Sequence, residues 1–244
     1  MLIELIITGI TIGTMSGFFG IGGGMILVPL LILIGFDIKG AIGISITQMV
    51  CSSIYGSYLN FRKGSLILGD GLFVGLGGFI GGFLGGFITQ QISASILEYL
   101  FISLVIFALY RLILSPKIED DTQSKSLPSY TLVIVGFIIG AFAISLGVGG
   151  SILLTPILAG VLHYPIKKAV SAGLFFVVFS SLSGFISQFN SIDINSGLIV
   201  GISSLIGVFV GIWAKEHISN QNHKNLIIGL YSISLILMVN KIIF

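Results

Sequence analysis

The sequence has few charged residues and almost no cysteine. Only 8% of its 244 residues are Asp, Glu, Lys or Arg, whereas a soluble domain usually carries about 25%. The net charge of +2 is too small to indicate nucleic-acid binding. The single cysteine, Cys51, excludes an internal disulfide and any metal site built from several cysteines. The composition therefore excludes an ordinary soluble domain.

Apolar residues are abundant instead. They make up 55% of the chain, and the mean hydropathy is +1.14. Apolar runs of about 20 residues recur along the sequence, which is the length of a membrane-spanning helix. We therefore expect an all-α polytopic protein of the cell (plasma or inner) membrane. Glu4 stands where a signal peptide would be basic, so we interpret the first run as a retained helix.

One polar stretch divides the chain near its middle. Residues 115–129 read SPKIEDDTQSKSLPS, with charges of both signs and two prolines. Such a composition is typical of a solvated linker. The sequence therefore predicts a first transmembrane repeat over 1–115, a cytoplasmic linker over 116–128 and a second repeat over 129–244.

The two halves resemble each other in sequence. GFFGIGGGMILVPLL (17–31) corresponds to ISLGVGGSILLTPIL (144–158), with glycines and a proline recurring at a spacing of 127 residues. Further on, GDGLFVGLGGFIGGFLGG (69–86) corresponds to NSGLIVGISSLIGVFVGI (195–212). Two homologous bundles are a common build of secondary transporters.

Each half contains five apolar segments, and their charges predict an orientation. The segments are 2–19, 21–36, 38–60, 66–90, 93–115, 129–146, 148–162, 165–190, 195–215 and 223–243. With the N-terminus outside, nine of the eleven Lys and Arg residues fall inside, as the positive-inside rule requires. An odd number of segments per half makes the two halves inverted relative to each other.

The glycine stretches predict a broken or re-entrant hairpin in each half, followed by about three spanning helices. Segments 21–36 and 148–162 are too short to cross the bilayer, because 16 helical residues extend only about 24 Å. Helix N-termini aimed at the bilayer middle carry unpaired N–H groups and the positive dipole end, which suit an anion. We predict anion-binding backbone at Gly22, Gly23, Gly24, Gly149, Gly150 and Ser151, with helix breaks at Pro29 and Pro156.

The third segment of each half is unusually polar. Ser45, Gln48, Ser52 and Tyr55 stand at helical spacing in the first copy. Ser180, Ser183 and Ser187 do so in the second, and neutral amide and hydroxyl donors suit an oxyanion. The alternative is that these side chains only join membrane helices, as serines and threonines commonly do. Close helix packing is likewise the alternative role for the glycines. We predict Gln48, Ser52 and Ser180 as side-chain donors to the substrate.

The sequence carries no pattern of a catalytic site or a cofactor site. It has no His-Glu-x-x-His, no Gly-x-Ser-x-Gly and no Gly-Lys-Ser/Thr phosphate loop. Glu98 lies near a membrane surface and is interpreted as an anchor, with a proton carrier as the alternative. We expect neither an enzyme nor a resident cofactor or metal.

The paired glycine motifs resemble those of the TauE/SafE family of sulfite exporters. The likeness lies in GFFGIGGGMILVPLLILIGFDIKGAIGISI and its second copy GVGGSILLTPILAGVLHYPIKKAVSAG, and extends over nearly the whole chain. The resemblance implies a permease for sulfite, thiosulfate or organosulfonates. Members of the family are usually drawn with eight membrane segments, which would make the halves parallel instead of inverted.

These observations predict a secondary transporter of small, sulfur-containing oxyanions that works by alternating access. The partners expected are the anion, the lipid bilayer and a coupling proton or Na⁺. A passive anion channel and an accessory membrane subunit without transport of its own remain alternatives. The sequence leaves the substrate, the coupling ion and the oligomeric state open.

Overall fold

A computed structural model describes residues 2–66, 69–114, 128–160, 166–218 and 220–243. Within these ranges the protein is helical and contains no strand. The helices are α1 Leu2–Phe19, α2 Gly24–Leu33, α3 Ile38–Arg62, α4 Gly69–Gln91, α5 Ala94–Leu114, α6 Ser129–Ser145, α7 Ser151–Gly160, α8 Ile166–Gln188, α9 Ile194–Glu216 and α10 Asn220–Ile243, with a 3₁₀ turn at Phe189–Ser191.

The ten helices correspond to the ten apolar segments, and the protein is a multi-pass membrane protein. Six helical stretches are long and apolar enough to cross a bilayer: Leu2–Phe19, Gly69–Gln91, Ala94–Leu114, Ala169–Ser191, Ile194–Glu216 and Asn222–Lys241. Helices α2 and α7 have ten residues each, or about 15 Å, so neither crosses. The predicted linker at 116–128 lies outside the described residues except for Pro128.

Two pairs of helices pack through glycines. Gly9, Gly13 and Gly17 of α1 lie against successive turns of α9, so closely that a methyl group on Gly13 or Gly17 would overlap backbone atoms. Gly77, Gly81 and Gly85 of α4 lie in the same way against α6. Small residues permit this approach, from which membrane helices gain dispersion energy. In both pairs the chains run parallel.

Helices α3 and α8 occupy the centre of the bundle. The other glycine face of α4 packs on α8, where Gly75 meets Phe179 and Gly78 meets Phe176. Helix α3 is too polar to qualify as a lipid-facing span, and its Ser, Thr and Gln side chains are largely buried. Such a helix is stable in a membrane when its neighbours shield it from lipid.

The two central helices run in opposite directions. Gly56, near the end of α3, packs against Leu174, near the start of α8. Gly43, near the start of α3, packs against Ile192, just beyond the end of α8. Helix α3 is parallel to α9, because Gly197 meets Thr47 one turn before Gly201 meets Cys51.

One end of the molecule, called here the basic end, carries most of the described cations. They are Arg62, Lys63, Arg111, Lys215 and Lys224. Lys63 and Glu216 form an exposed ion pair at 2.8 Å, which joins the ends of α3 and α9. This grouping follows from the helix directions, since these helices either begin or end here.

The opposite end holds Lys39 and Lys241. Lys39 Nζ donates to the Gln90 carbonyl at 3.0 Å, and Lys241 forms an ion pair with Glu98. Asp193 caps α9 here by accepting from the Ser196 N–H at 3.2 Å. Hydrogen bonding to Ser196 lowers the pKa of Asp193 below its ordinary value, because the cap favours the ionised carboxylate.

Candidate functional site

The helix breaks lie at the glycines of the two repeated motifs. Gly20, Gly22 and Gly23 have φ values of 68°, 74° and 90°, a left-handed backbone that favours glycine. The corresponding Gly147, Gly149 and Gly150 have φ values of 68°, 82° and 76°. Both motifs therefore use the same backbone geometry, as their shared spacing predicts.

Each break returns the chain to the middle of the bundle. Gly20 lies against Val170, in the second turn of α8 at the basic end. Gly23 lies against Ile12, two turns back along α1. Helix α1 therefore crosses most of the bundle, residues 20–23 come back, and α2 starts at mid-depth. The hairpin has one long and one short arm, instead of two arms that meet at a single turn.

Helices α2 and α7 begin with the same hydrogen-bond pattern. Ile26 and Leu27 donate to the Gly23 carbonyl at 3.3 and 3.1 Å. Leu153 and Leu154 donate to the Gly150 carbonyl at 3.1 and 3.0 Å. The N–H groups of the first two residues of each helix come before these bonds and have no acceptor within the helix. They point outward from the N-terminal end of the helix, where the positive end of the dipole lies.

The prediction that Pro29 and Pro156 break the helices was wrong. Helix α2 continues four residues beyond Pro29, and α7 continues four residues beyond Pro156. Proline lacks an N–H, so Pro29 cannot donate to the Met25 carbonyl four residues earlier. The Ser234 hydroxyl of α10 donates to that carbonyl at 2.6 Å instead. A partner from another helix therefore stabilises α2 through its proline.

The two glycine tips meet beside one methionine. A methyl group built on Gly22 would lie 3.2 Å from Met49 Sδ, and one on Gly149 would lie 2.5 Å from the same atom. Val177 of α8, which corresponds to Met49 in the repeat, also contacts both glycines. The structure thus brings residues 22–24 and 149–151 together at the crossing of α3 and α8.

Gln48 is the polar side chain beside this meeting point. A methyl group on Gly23 would lie 3.0 Å from Gln48 Oε1 and 3.3 Å from Nε2. The side chain is completely buried, and neither amide atom has a hydrogen-bond partner in the described part of the chain. A buried polar group without a partner is costly. A ligand with hydrogen-bonding groups would supply the missing partners.

Two hydroxyl groups on α7 also belong to buried side chains whose polar atoms are unpaired within the described ranges. Ser151 Oγ and Thr155 Oγ1 are buried and lack partners among the described residues. Both lie against Gly173 of α8, where a methyl group would be 3.0 Å from Ser151 Cβ and 3.2 Å from Thr155 Oγ1. Ser151 was among the residues predicted to bind the anion through their backbone. Thr155 was missed, although its place one turn after Ser151 on the same helix was a usable signal.

The two halves of the site differ chemically. The residue that corresponds to Gln48 in the second half is Phe176, which lies against Gly150 as Gln48 lies against Gly23. Ser45, one turn before Gln48, donates to the Gly147 carbonyl at 2.8 Å and so ties α3 to the second hairpin. The symmetric backbone therefore carries one amide on one side and an aromatic ring on the other.

Ser52 and Ser180 occupy corresponding positions one turn beyond the meeting point. Ser180 donates to its own helix at the Phe176 carbonyl, at 3.2 Å. Ser52 lies 3.4 Å from the Met49 carbonyl oxygen and 3.5 Å from Ser16 Oγ. Both are fully buried on the central helices, but their hydroxyls already have local partners. The structure therefore places these two predicted donors near the tips, with hydroxyl groups that already have partners.

The charged side chains that the structure describes lie towards the two ends of the bundle. Glu98 pairs with Lys241 between α5 and α10 at the opposite end. The described residues contain no group of three or more His, Cys, Asp or Glu side chains arranged to hold a metal ion. The centre therefore offers neutral donors and helix dipoles.

Comparison with known proteins identifies the relatives of the chain. Residues 5–238 match the family model described as sulfite exporter TauE/SafE. A probable membrane transporter protein of Methanocaldococcus jannaschii is 29% identical, with 89% of this chain and 88% of the relative aligned. The probable membrane transporter protein YdhB of Bacillus subtilis is 27% identical, with 88% and 89% aligned. No solved structure gives a significant match.

Proposed function

We propose that this chain, which belongs to the sulfite exporter TauE/SafE family, is a secondary transporter of small oxyanions. Its relatives are named as probable membrane transporter proteins, and the chain is a membrane transporter of this family. The class of substrate is our inference from the central site. Sulfite, thiosulfate and organosulfonates are the first candidates, because the family description names a sulfite exporter.

The observation that carries the proposal is Gln48 beside the start of α2. A buried amide that has no partner in the described part of the chain stands next to backbone N–H groups that precede the helical hydrogen bonds. Together they offer several neutral donors and a positive dipole end to a ligand that accepts hydrogen bonds. An oxyanion has such acceptors on every oxygen. The described residues around the tips supply no permanent countercharge, which would permit release of the anion.

The directions of the central helices support alternating access. Helices α3 and α8 correspond in sequence and run antiparallel, which is what an inverted arrangement of the two halves requires. In inverted-repeat transporters, the substrate lies where discontinuous helices meet near the bilayer midplane. Exchange of the conformations of the two halves would then open the site to either side. The positive-inside rule places the basic end in the cytoplasm.

The proposal is tested by uptake of ³⁵S-labelled sulfite and thiosulfate into liposomes that contain the purified protein, with and without a pH gradient. Gly23→Ala adds a methyl group 2.5 Å from Ile12 Cγ2 and beside the Gln48 amide. Gly64→Ala is the matched control, because Gly64 has φ 69° but no described atom within 4 Å of the added methyl.

We expect gradient-dependent uptake that Gly64→Ala retains and Gly23→Ala reduces at least tenfold. Uptake that follows voltage and ignores the gradient would indicate a channel instead. Absence of flux for both anions in the wild type would refute the proposed substrate class. Equal flux in the two variants would refute the glycine tip as the binding site.

A further inference from the structure

A buried stripe on α3 connects the central site to the basic end. Gln48, Ser52, Gly56 and Asn60 follow one another at a spacing of four residues, which places them on one face of the helix. All four are buried. Asn60 lies 12 residues beyond Gln48, or about 18 Å along the helix axis. Whatever binds at Asn60 is therefore separate from a ligand at the glycine tips.

Asn60 belongs to a cluster around a buried ammonium group. Lys215 of α9 is only 3% exposed, and its Nζ donates to Asn60 Oδ1 and to Ser171 Oγ at 3.3 Å each. Ser65 Oγ donates to Asn60 Oδ1 at 3.2 Å and lies 3.3 Å from Ser171 Oγ. Helices α3, α8 and α9 thus meet at a lysine with amide and hydroxyl neighbours.

The Asn60 amide has one donor group left over. Its oxygen accepts from Lys215 and Ser65, whereas Nδ2 has no partner among the described residues although Asn60 is only 1% exposed. An unused N–H₂ group beside an ammonium group favours a ligand that accepts hydrogen bonds and carries negative charge. A cation would be repelled, and an apolar molecule would leave the amide unsatisfied.

The corresponding residues in the other half are uncharged. There the repeat puts Gln188 where the first half has Asn60, Gly43 where the second half has Ser171, and Thr89 where α9 has Lys215. Gln188 Nε2 is also buried without a described partner. Thr89 donates to the carbonyls of Gly85 and Ser145 at 3.0 Å each. The buried ammonium group of Lys215 therefore has an uncharged counterpart, Thr89, at the opposite end.

We propose that Lys215, Asn60, Ser171 and Ser65 form a second anion-binding site, at the basic end of the α3 stripe. Its ligand is a small oxyanion, which Lys215 holds by charge and Asn60 Nδ2 by a hydrogen bond. The identification of this ligand with the transported anion rests on the proposed function. The proposal that an anion binds at this site does not depend on it. The site makes the protein asymmetric, with tighter anion binding at the basic end.

Equilibrium binding of ³⁵S-thiosulfate to the full-length chain in detergent tests the site. The measurement uses Gln48→Met as the background, so that the central site does not contribute. Lys215→Met is compared with Lys63→Met, which removes a nearby cation that is exposed and paired with Glu216. Asn60→Asp is added because a carboxylate would pair with Lys215 and preserve packing while repelling the anion.

We expect the background protein and its Lys63→Met variant to bind thiosulfate with affinities within twofold of each other. Lys215→Met and Asn60→Asp should each weaken binding at least tenfold, and Lys215→Arg should retain it. A purely structural cluster predicts that Asn60→Asp binds as well as its parent, which would overturn the proposal. Loss of all binding in Gln48→Met alone would overturn it too.

Transport by the same variants separates the two proposals. If Gln48→Met still transports, the central site is wrong, but the binding result at Lys215 stands. If Gln48→Met loses transport and keeps Lys215-dependent binding, both proposals are supported. In oriented vesicles, Lys215→Met should raise the half-saturating anion concentration at the basic end at least tenfold and at the opposite end less than twofold.

Discussion

Replacement of Gln48 by methionine should make the protein more stable and inactive. The Gln48 side chain is fully buried, and both amide atoms lack partners in the described ranges. A buried polar group in this state costs about 1–3 kcal/mol relative to an apolar group of similar shape. Methionine has a similar length and an unbranched, adaptable side chain. We therefore expect the free energy of unfolding to rise by about 2 kcal/mol.

The measurement is the Tm of the purified protein in detergent. One kcal/mol shifts the Tm of a chain of 150–250 residues by roughly 2–4 °C, so the expected rise is roughly 4–8 °C. All variants must be heated at one scan rate, because irreversible unfolding makes the midpoint depend on the rate. Liposome uptake of ³⁵S-thiosulfate is measured on the same preparations and should fall at least tenfold.

Ser234→Ala is the control, because it should change the free energy of unfolding in the opposite direction. The Ser234 hydroxyl donates to the Met25 carbonyl at 2.6 Å, where Pro29 provides no N–H. Its loss leaves a buried acceptor unsatisfied, so the free energy of unfolding should fall by about 1–2 kcal/mol while transport remains. If Gln48→Met also lowers the Tm, the amide is structural and the reasoning fails. Transport retained in Gln48→Met would refute the assigned role.

The remaining predictions concern helix packing and the ion pair between Glu98 and Lys241 at the opposite end. Gly81→Ala would overlap the Phe137 carbonyl and should destabilise the protein by about 1–3 kcal/mol, measured as a fall in Tm. Gly229→Ala, with no described atom within 4 Å, should instead stabilise α10 by up to about 1 kcal/mol. Glu98→Gln breaks the pair with Lys241, yet uptake should keep its dependence on the pH gradient; loss of that dependence would make Glu98 the proton carrier.

Much of the fold could be predicted from the sequence. The apolar segments give the helices within a few residues, because a membrane helix must satisfy its backbone internally and span a fixed thickness. The glycine motifs locate the breaks, because only glycine adopts positive φ without strain. Pro29 misled the prediction. The hydrogen bond it removes is replaced by Ser234, more than 200 positions away along the chain.

Part of the candidate site could not be predicted. The polar stripe of the third segment indicates Gln48, but Ser52 and Ser180 look equally suitable until their hydroxyls are seen to bond within their own helices. Lys215 looks like one more interface anchor in the sequence. Its burial against Asn60 and Ser171 depends on three helices that are distant along the chain.

The sequence by itself determined that the chain is a membrane protein, where its helices lie and that two similar glycine motifs stand 127 residues apart. These properties follow from local composition and periodicity. Each apolar segment must pair its own backbone N–H and C=O groups in the membrane, so its sequence alone favours a helix. Only the tertiary structure decided that both glycine tips reach Met49, that the Gln48 amide beside one of them has no partner among the described residues, and that Lys215 is buried at the basic end. Contacts between distant segments depend on packing, and packing decides which polar groups find partners and which remain available to a ligand.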